Sequence, residues 1–167
     1  MCIRDSLYPN IEIDNERLNL QHSDLMRKGK KIAFGVDSFE DYKMWYEENF
    51  IELADLLYEK KIFDYVYLVC SPDKSYISKK IIELSNKNYF IDCSKKDLSG
   101  IIAAIKNSIF FVGNNSGPLN LASALGVKTF GLIANDAISE LKYSKINFIL
   151  PDDYKDDAAS DSNKFCL

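Results

Sequence analysis

The sequence has a single histidine, only four cysteines and no two cysteines in a CxxC pair. Cys2, Cys70, Cys93 and Cys166 follow no regular spacing, so neither a zinc site nor a disulfide framework is expected. No other grouping suggests a metal site. Reduced thiols, and with them a cytoplasmic protein, are the simpler expectation. Cys70 and Cys93 each close an apolar run and have no histidine near them in sequence, His22 being the only one, which makes them small core residues rather than nucleophiles. No run approaches the roughly 18 apolar residues that a membrane span needs, and the start carries no signal-peptide pattern. Basic residues are in the minority, 21 Lys and Arg against 25 Asp and Glu. Phosphate backbones are held by clustered Lys and Arg, so no nucleic-acid partner is expected. No GxGxxG follows the first apolar run, which disfavours a dehydrogenase.

What is present is the composition of a globular chain, 47% hydrophobic with ten Tyr and ten Phe. At 167 residues it can bury about two-thirds of its unfolded surface around the core of one domain. Residues 1–6, MCIRDS, resemble translated sequencing-adaptor read-through and are excluded from the fold, with the reading frame expected to begin upstream. Residues 7–30 read as a linker or interdomain helix, 31–150 as the folded domain, and 151–167 as an acidic tail expected to be truncated.

Within 31–150, apolar runs alternate with amphipathic stretches. Strands are expected at Ile32–Val36, Tyr65–Cys70, Tyr89–Cys93, Ile109–Val112, Lys128–Ile133 and Ile146–Leu150. Helical spacing places Trp45, Phe50, Leu53, Ala54 and Leu57 on one face, and Ile77, Ile81, Ile82 and Leu84 on the next. Leu98, Ile101, Ile102 and Ile105 form a third face, and Leu121 to Leu125 a short helix ended by Gly126. Strands alternating with helices imply right-handed crossovers and a parallel sheet covered on both faces. The expected fold class is therefore α/β, a doubly wound Rossmann-like parallel sheet.

In such sheets ligands bind beyond the carboxyl ends of the strands, where loops and helix N-termini converge. The loop Gly113-Asn114-Asn115-Ser116-Gly117-Pro118-Leu119-Asn120 has the residues for that task. Gly117 permits either an unusual backbone conformation or a close ligand approach, and Pro118 suits a first helical turn, where its missing N–H is not needed. Exposed N–H groups and the Ser116 hydroxyl would then face an anion such as a diphosphate. The same residues also suit an ordinary capped turn, so spacing alone leaves both readings open.

The stretch from Asp97 through Leu132, DLSGIIAAIKNSIFFVGNNSGPLNLASALGVKTFGL, resembles the donor-binding core of glycosyltransferase family nine, the heptosyltransferases. Lys43-Met44-Trp45 is similar to the family's Lys-x-Trp signature, and Ser71-Pro72-Asp73 to a turn with acidic residues after its second strand. The resemblance implies the carboxyl-terminal half of a GT-B fold, two Rossmann-like domains facing across a cleft, with this half holding the nucleotide sugar. It places Lys43 on the donor phosphates, Ser38 in the phosphate-side loop, Asp73 near the ribose, and Asn115, Ser116, Gly117 and Asn120 around the diphosphate and sugar. Lys96 and Asp97 would border the base. Lys43 also reads as a solvated lysine at a helix start, and Asp73 as an N-cap. Where the family has Asp and His, this chain has Asn115 and Asn120, which can hydrogen-bond but carry no charge near pH 7.

The resemblance further implies metal-free, inverting transfer of a heptose-like sugar from a nucleoside-diphosphate donor such as ADP-heptose to a lipopolysaccharide-core or related glycan acceptor. The donor is a substrate, and no cofactor is expected. No catalytic residue is assigned within this chain, because the base belongs to the family's amino-terminal domain, which the sequence lacks; transfer by this piece alone is not expected. Peripheral contact with the inner face of the cytoplasmic membrane follows from such an acceptor. The alternative is a non-catalytic nucleotide-binding or interaction module of the same fold. A receiver-like domain is disfavoured because Asp37 has no acidic partner or later strand-end lysine.

Overall fold

A computed structural model describes residues 12–134, 145–152 and 154. Each apolar run becomes a strand: β1 Lys31–Gly35, β2 Tyr65–Val69, β3 Phe90–Asp92, β4 Phe111–Asn114, β5 Thr129–Leu132 and β6 Ile146–Ile149. The α-helices are α1 Asn15–Gln21, α2 Glu47–Glu59, α3 Ser75–Ser85, α4 Leu98–Lys106 and α5 Gly117–Ala124. The strands form one sheet in the order β3-β2-β1-β4-β5-β6, and every pairing is parallel. The doubly wound α/β arrangement expected from the sequence is the one that forms. The chain lays β2 and β3 on one side of β1, then returns to place β4 on its other side.

Burial on both faces explains why the strands read as unbroken apolar runs. Ala33, Tyr67, Val69 and Phe111 point to the face covered by α1, α4 and α5, where they meet Leu18, Ala103, Ala104, Leu119 and Ala122. Ile32, Phe34, Val66, Leu68 and Val112 point to the opposite face, against Phe50 and Ala54 of α2 and Ile77 and Ile81 of α3. Side chains alternate across the sheet, so one period-two pattern fills two cores. At the carboxyl ends of the central strands, Gly35 pairs with Gly113. A Cβ on Gly113 would lie 2.9 Å from the Gly35 Cα and carbonyl oxygen, so this close approach requires glycine.

Some boundaries differ from the sequence reading. β4 extends one residue past Gly113, and α5 begins at Gly117, with Pro118 in its first turn. In the segment read as a linker or interdomain helix, α1 and a 3-10 turn at Ser23–Leu25 carry Leu18 and Leu25 into the core, and the buried Tyr67 hydroxyl donates to the Leu25 carbonyl. Cys70 and Cys93 are buried free thiols, pushed up by burial to about 11 and about 12. Such thiols stay protonated and act as core residues. The adaptor-like residues 1–6, with Cys2, and most of the acidic tail, with Cys166, lie outside the described residues. No helix among the described residues is long and apolar enough to cross a membrane.

Candidate functional site

The strand order reverses between β1 and β4, the topological switch point beyond whose carboxyl ends open α/β sheets usually form their ligand crevice. The exit from β4 consists of Asn115 and Ser116 alone before α5 begins. Ser116 is extended, with φ −156° and ψ 173°, and its carbonyl accepts from Leu119 N at 3.1 Å and Asn120 N at 3.4 Å. N–H groups ahead of these donors have no intrahelical acceptor, and the helix dipole adds partial positive charge to them. The Ser116 hydroxyl oxygen is buried without a hydrogen-bond partner. Gly117 lies outside the left-handed backbone region, and a Cβ built on it meets nothing within 4 Å. Of the two roles open to this glycine, a special backbone conformation is thus unused.

The exit from β1 is longer, Val36 to Tyr46, and it is tied down from several directions. Asn114, fully buried at the end of β4, donates from Nδ2 to the Val36 carbonyl at 3.1 Å and accepts from Trp45 N at 2.9 Å. The buried Ser38 hydroxyl donates to the Asn115 carbonyl at 3.1 Å, which bridges the two loops directly. Asp37 accepts from Ser71 N at 2.7 Å through one carboxylate oxygen, while the other is buried without a partner. From the turn ahead of α3, Lys74 donates through Nζ to the Ser38 carbonyl at 2.8 Å and to Asp41 at 2.7 Å, and the Asp41 carboxylate holds this ammonium above the usual lysine range.

Lys43 occupies the 3-10 turn Asp41–Lys43, where its ammonium pairs with Glu40 and lies 5.6 Å from the centre of the Tyr42 ring. It lines a cleft of about 280 Å³ with Met44, Trp45, Asn114 and residues at the ends of β5 and β6. Asn120 is exposed and donates from Nδ2 to the Ser116 carbonyl at 3.3 Å. Ser38, Asn115, Ser116, Gly117 and Asn120 therefore meet at one edge, with Lys43 on the loop opposite.

Asp73 is placed differently. It lies exposed in the 3-10 turn Pro72–Lys74, ahead of α3 but outside the N-cap positions, and the Ser71 hydroxyl holds its carboxyl below the usual range. Lys96 pairs with Asp24 at 2.5 Å, and Asp97 caps α4 by accepting from Gly100 N at 2.8 Å. That backbone N–H is the first cause of the lowered Asp97 carboxyl. Sequence reasoning missed Asn114, Asp37 and Lys74 as organisers of the site. A polar residue closing an apolar run was the available signal for Asn114 and Asp37; Lys74 had none. Among the described residues, no group of three or more His, Cys, Asp or Glu could hold a metal ion.

This edge, with a helix start whose first N–H groups have no intrahelical acceptor, a buried hydroxyl and a lysine on the facing loop, suits an anionic group such as a phosphate. Residues 4–143 match the family model described as glycosyltransferase family 9 (heptosyltransferase). No curated protein sequence matches the chain. Among solved structures, the Escherichia coli ADP-heptose lipopolysaccharide heptosyltransferase II is 20% identical, with a TM-score of 0.72 over 84% of this chain and 45% of that one. A family 9 glycosyl transferase from Veillonella parvula is 20% identical, with a TM-score of 0.71 over 95% of this chain and 46% of that one. The E. coli heptosyltransferase WaaC, solved with ADP, is 20% identical, with a TM-score of 0.64 over 81% and 44%. The chain spans less than half the length of each of these proteins, and at such identities the likeness shows the fold. With the family model matching most of its length, the chain belongs to glycosyltransferase family 9, the heptosyltransferase family.

Proposed function

We propose that this chain is the donor-binding half of a two-domain glycosyltransferase, which moves a heptose-like sugar from a nucleoside diphosphate to a lipopolysaccharide-core or related glycan acceptor. The observation that carries the reading is the β1/β4 crevice, where the Ser116 hydroxyl lies buried and unpartnered beside the first N–H groups of α5. ADP is the favoured nucleotide, because a structural neighbour was solved with it. Lys43, Ser38 and the N–H groups of Ser116 and Gly117 hold the diphosphate and stabilise its charge as it departs. Asn115 and Asn120 face the sugar, and Asp73 reaches the ribose from the exit of β2. Residues 31–150 supply the binding unit, and the segment before Lys31 joins it to the opposing domain that contributes the catalytic base.

On this reading the chain binds nucleotide but transfers no sugar by itself, and the complete enzyme works in the cytoplasm, in peripheral contact with the inner face of the cytoplasmic membrane. A non-catalytic nucleotide-binding module is the second reading. It is favoured by Asn120, an uncharged side chain already engaged with the Ser116 carbonyl. Calorimetric titration of the folded chain with ADP and UDP tests the binding claim, with weak, saturable binding expected. Absence of heat at millimolar nucleotide sinks both readings. Binding by the chain, with no transfer by the full-length protein, leaves the second.

A further inference from the structure

The loop after β1 exposes aromatic side chains beside the proposed donor crevice. Phe39 is 98% exposed, the highest value among the large apolar residues described, and Tyr42 is 66% exposed three positions later. Exposed aromatic rings on a loose loop would call for no explanation, but this loop is anchored. Lys74 binds the carbonyl of Ser38 and the carboxylate of Asp41 on either side of Phe39, and Ser38 is bonded to the Asn115 carbonyl. Phe39 is thus displayed one residue from the contact that joins the two walls of the crevice. The polar groups around it are balanced, since Glu40 pairs with Lys43 and Asp41 with Lys74. A ring with a neutral surround is poorly suited to an anionic lipid surface, which recruits unpaired Lys and Arg. It suits a pyranose, whose axial C–H groups carry slight positive charge and pack on the negative face of an aromatic ring.

We propose that Phe39 is the platform for the pyranose ring of the sugar donor, a specificity-determining contact just beyond the diphosphate. The assignment rests on the donor-binding reading given above. A diphosphate held at Ser116 and Gly117 leaves its sugar beside the Ser38–Asn115 bridge, and Phe39 is the next side chain along the β1 loop. The platform acts on the sugar alone, so it separates affinity for a nucleotide sugar from affinity for the bare nucleotide.

The test is calorimetric titration of the 167-residue chain with ADP, ADP-glucose and free maltotriose. In the parent, ADP-glucose binds more tightly than ADP by roughly three- to tenfold, the range of one aromatic contact. Phe39→Ala abolishes that advantage and leaves ADP affinity unchanged, Phe39→Leu loses most of it despite its apolar bulk, and Phe39→Trp retains it. Because Phe39 is almost fully exposed, these variants keep the parent's thermal transition. An ADP-glucose advantage that survives Phe39→Ala overturns the platform while leaving the donor reading intact. A loss of ADP affinity in Phe39→Ala also overturns it, by showing that the residue only shapes the loop. Maltotriose binding that depends on Phe39 assigns the ring to an acceptor instead. If the parent binds no ADP at all, the donor reading fails and the platform falls with it.

Discussion

The two walls of the crevice are built in opposite ways. The β4 wall turns into α5 through two residues, and its shape follows from local chemistry: extended Ser116, then Gly117 and Pro118 opening the helix. The β1 wall crosses from Val36 to Tyr46 with one 3-10 turn of its own, and side chains from elsewhere fix it, Asn114 from β4 and Lys74 from the turn ahead of α3. Both walls nevertheless keep one buried oxygen open, the Ser116 hydroxyl on the β4 side and one Asp37 carboxylate oxygen on the β1 side. Asn114 has both ends of its amide bonded inside the protein, whereas the Ser116 hydroxyl has no partner there. A short connection takes its shape from local backbone preferences, while a long one depends on hydrogen bonds from distant segments to hold its shape.

Asn114 should be the most sensitive point in that contrast. Asn114→Leu leaves the Val36 carbonyl and the Trp45 N–H without their partner, a loss of about 2 to 4 kcal/mol. Urea unfolding followed through Trp45, the only tryptophan, should show a lower midpoint, with ADP binding weakened as the β1 wall loosens. An unchanged midpoint would mean that the long loop holds itself, and the distinction between the walls would disappear.

Gly117→Val should do the reverse, abolishing ADP binding at little structural cost. Its Cβ has no protein neighbour within 4 Å, and a β-branched residue in a helix costs less than about 1 kcal/mol relative to the best formers. Lys43→Ala should weaken ADP binding by an amount that shrinks as salt is raised, because ions screen its attraction to the diphosphate. Calorimetry at low and high ionic strength reads both variants. Binding by the valine variant at parental affinity would remove the β4 wall from the site.

Lys74→Met removes a part-buried clamp whose Asp41 partner is exposed, so stability should fall by no more than about 1 kcal/mol, with a loss of ADP affinity of a few fold. The raised ammonium sets the sign of the pH dependence. A group whose proton is held more tightly in the folded chain contributes fully below its ordinary value of 10.5 and loses that contribution as pH rises through the folded value. The difference between parent and variant should therefore be constant from pH 6 to about 9 and vanish at higher pH. A difference that collapses near neutrality would point to another group.

The smallest expected change in stability comes from Asn115→Asp with Asn120→His, which alters charge without much change in volume, so folding should survive. Expressed in the full-length protein, the pair should move donor selectivity toward that of other family members. Thermal melts and competition between two nucleotide sugars would measure these effects, and an unchanged preference would remove both positions from sugar recognition.

Much of this arrangement was legible in the chain itself. Ile32–Val36 and Tyr65–Cys70 could be read as strands because burial on both faces leaves apolar runs unbroken, and Gly117-Pro118 marked a helix start. The anchoring of the β1 loop was not legible. Asn114 looks like the first residue of a turn, and Lys74 like any lysine beside a helix; their roles depend on contacts 36 to 78 positions away in sequence. Leu18 and Leu25 were hidden for a related reason, since a short segment among polar neighbours shows no periodicity until a core lies beneath it.

The sequence by itself determined the alternation of strand and helix, the parallel two-sided sheet and the short β4–α5 turn, because these follow from side-chain period and the backbone preferences of Gly and Pro. Only the tertiary structure decided that β1 and β4 lie side by side, with Gly35 against Gly113, and that Asn114, Lys74 and Ser38 fasten the β1 wall to its neighbours. The physical reason is that hydrogen bonding and close packing between distant segments carry no local signature: the same amide or ammonium is unremarked in water and decisive once burial removes the water that would compete for it.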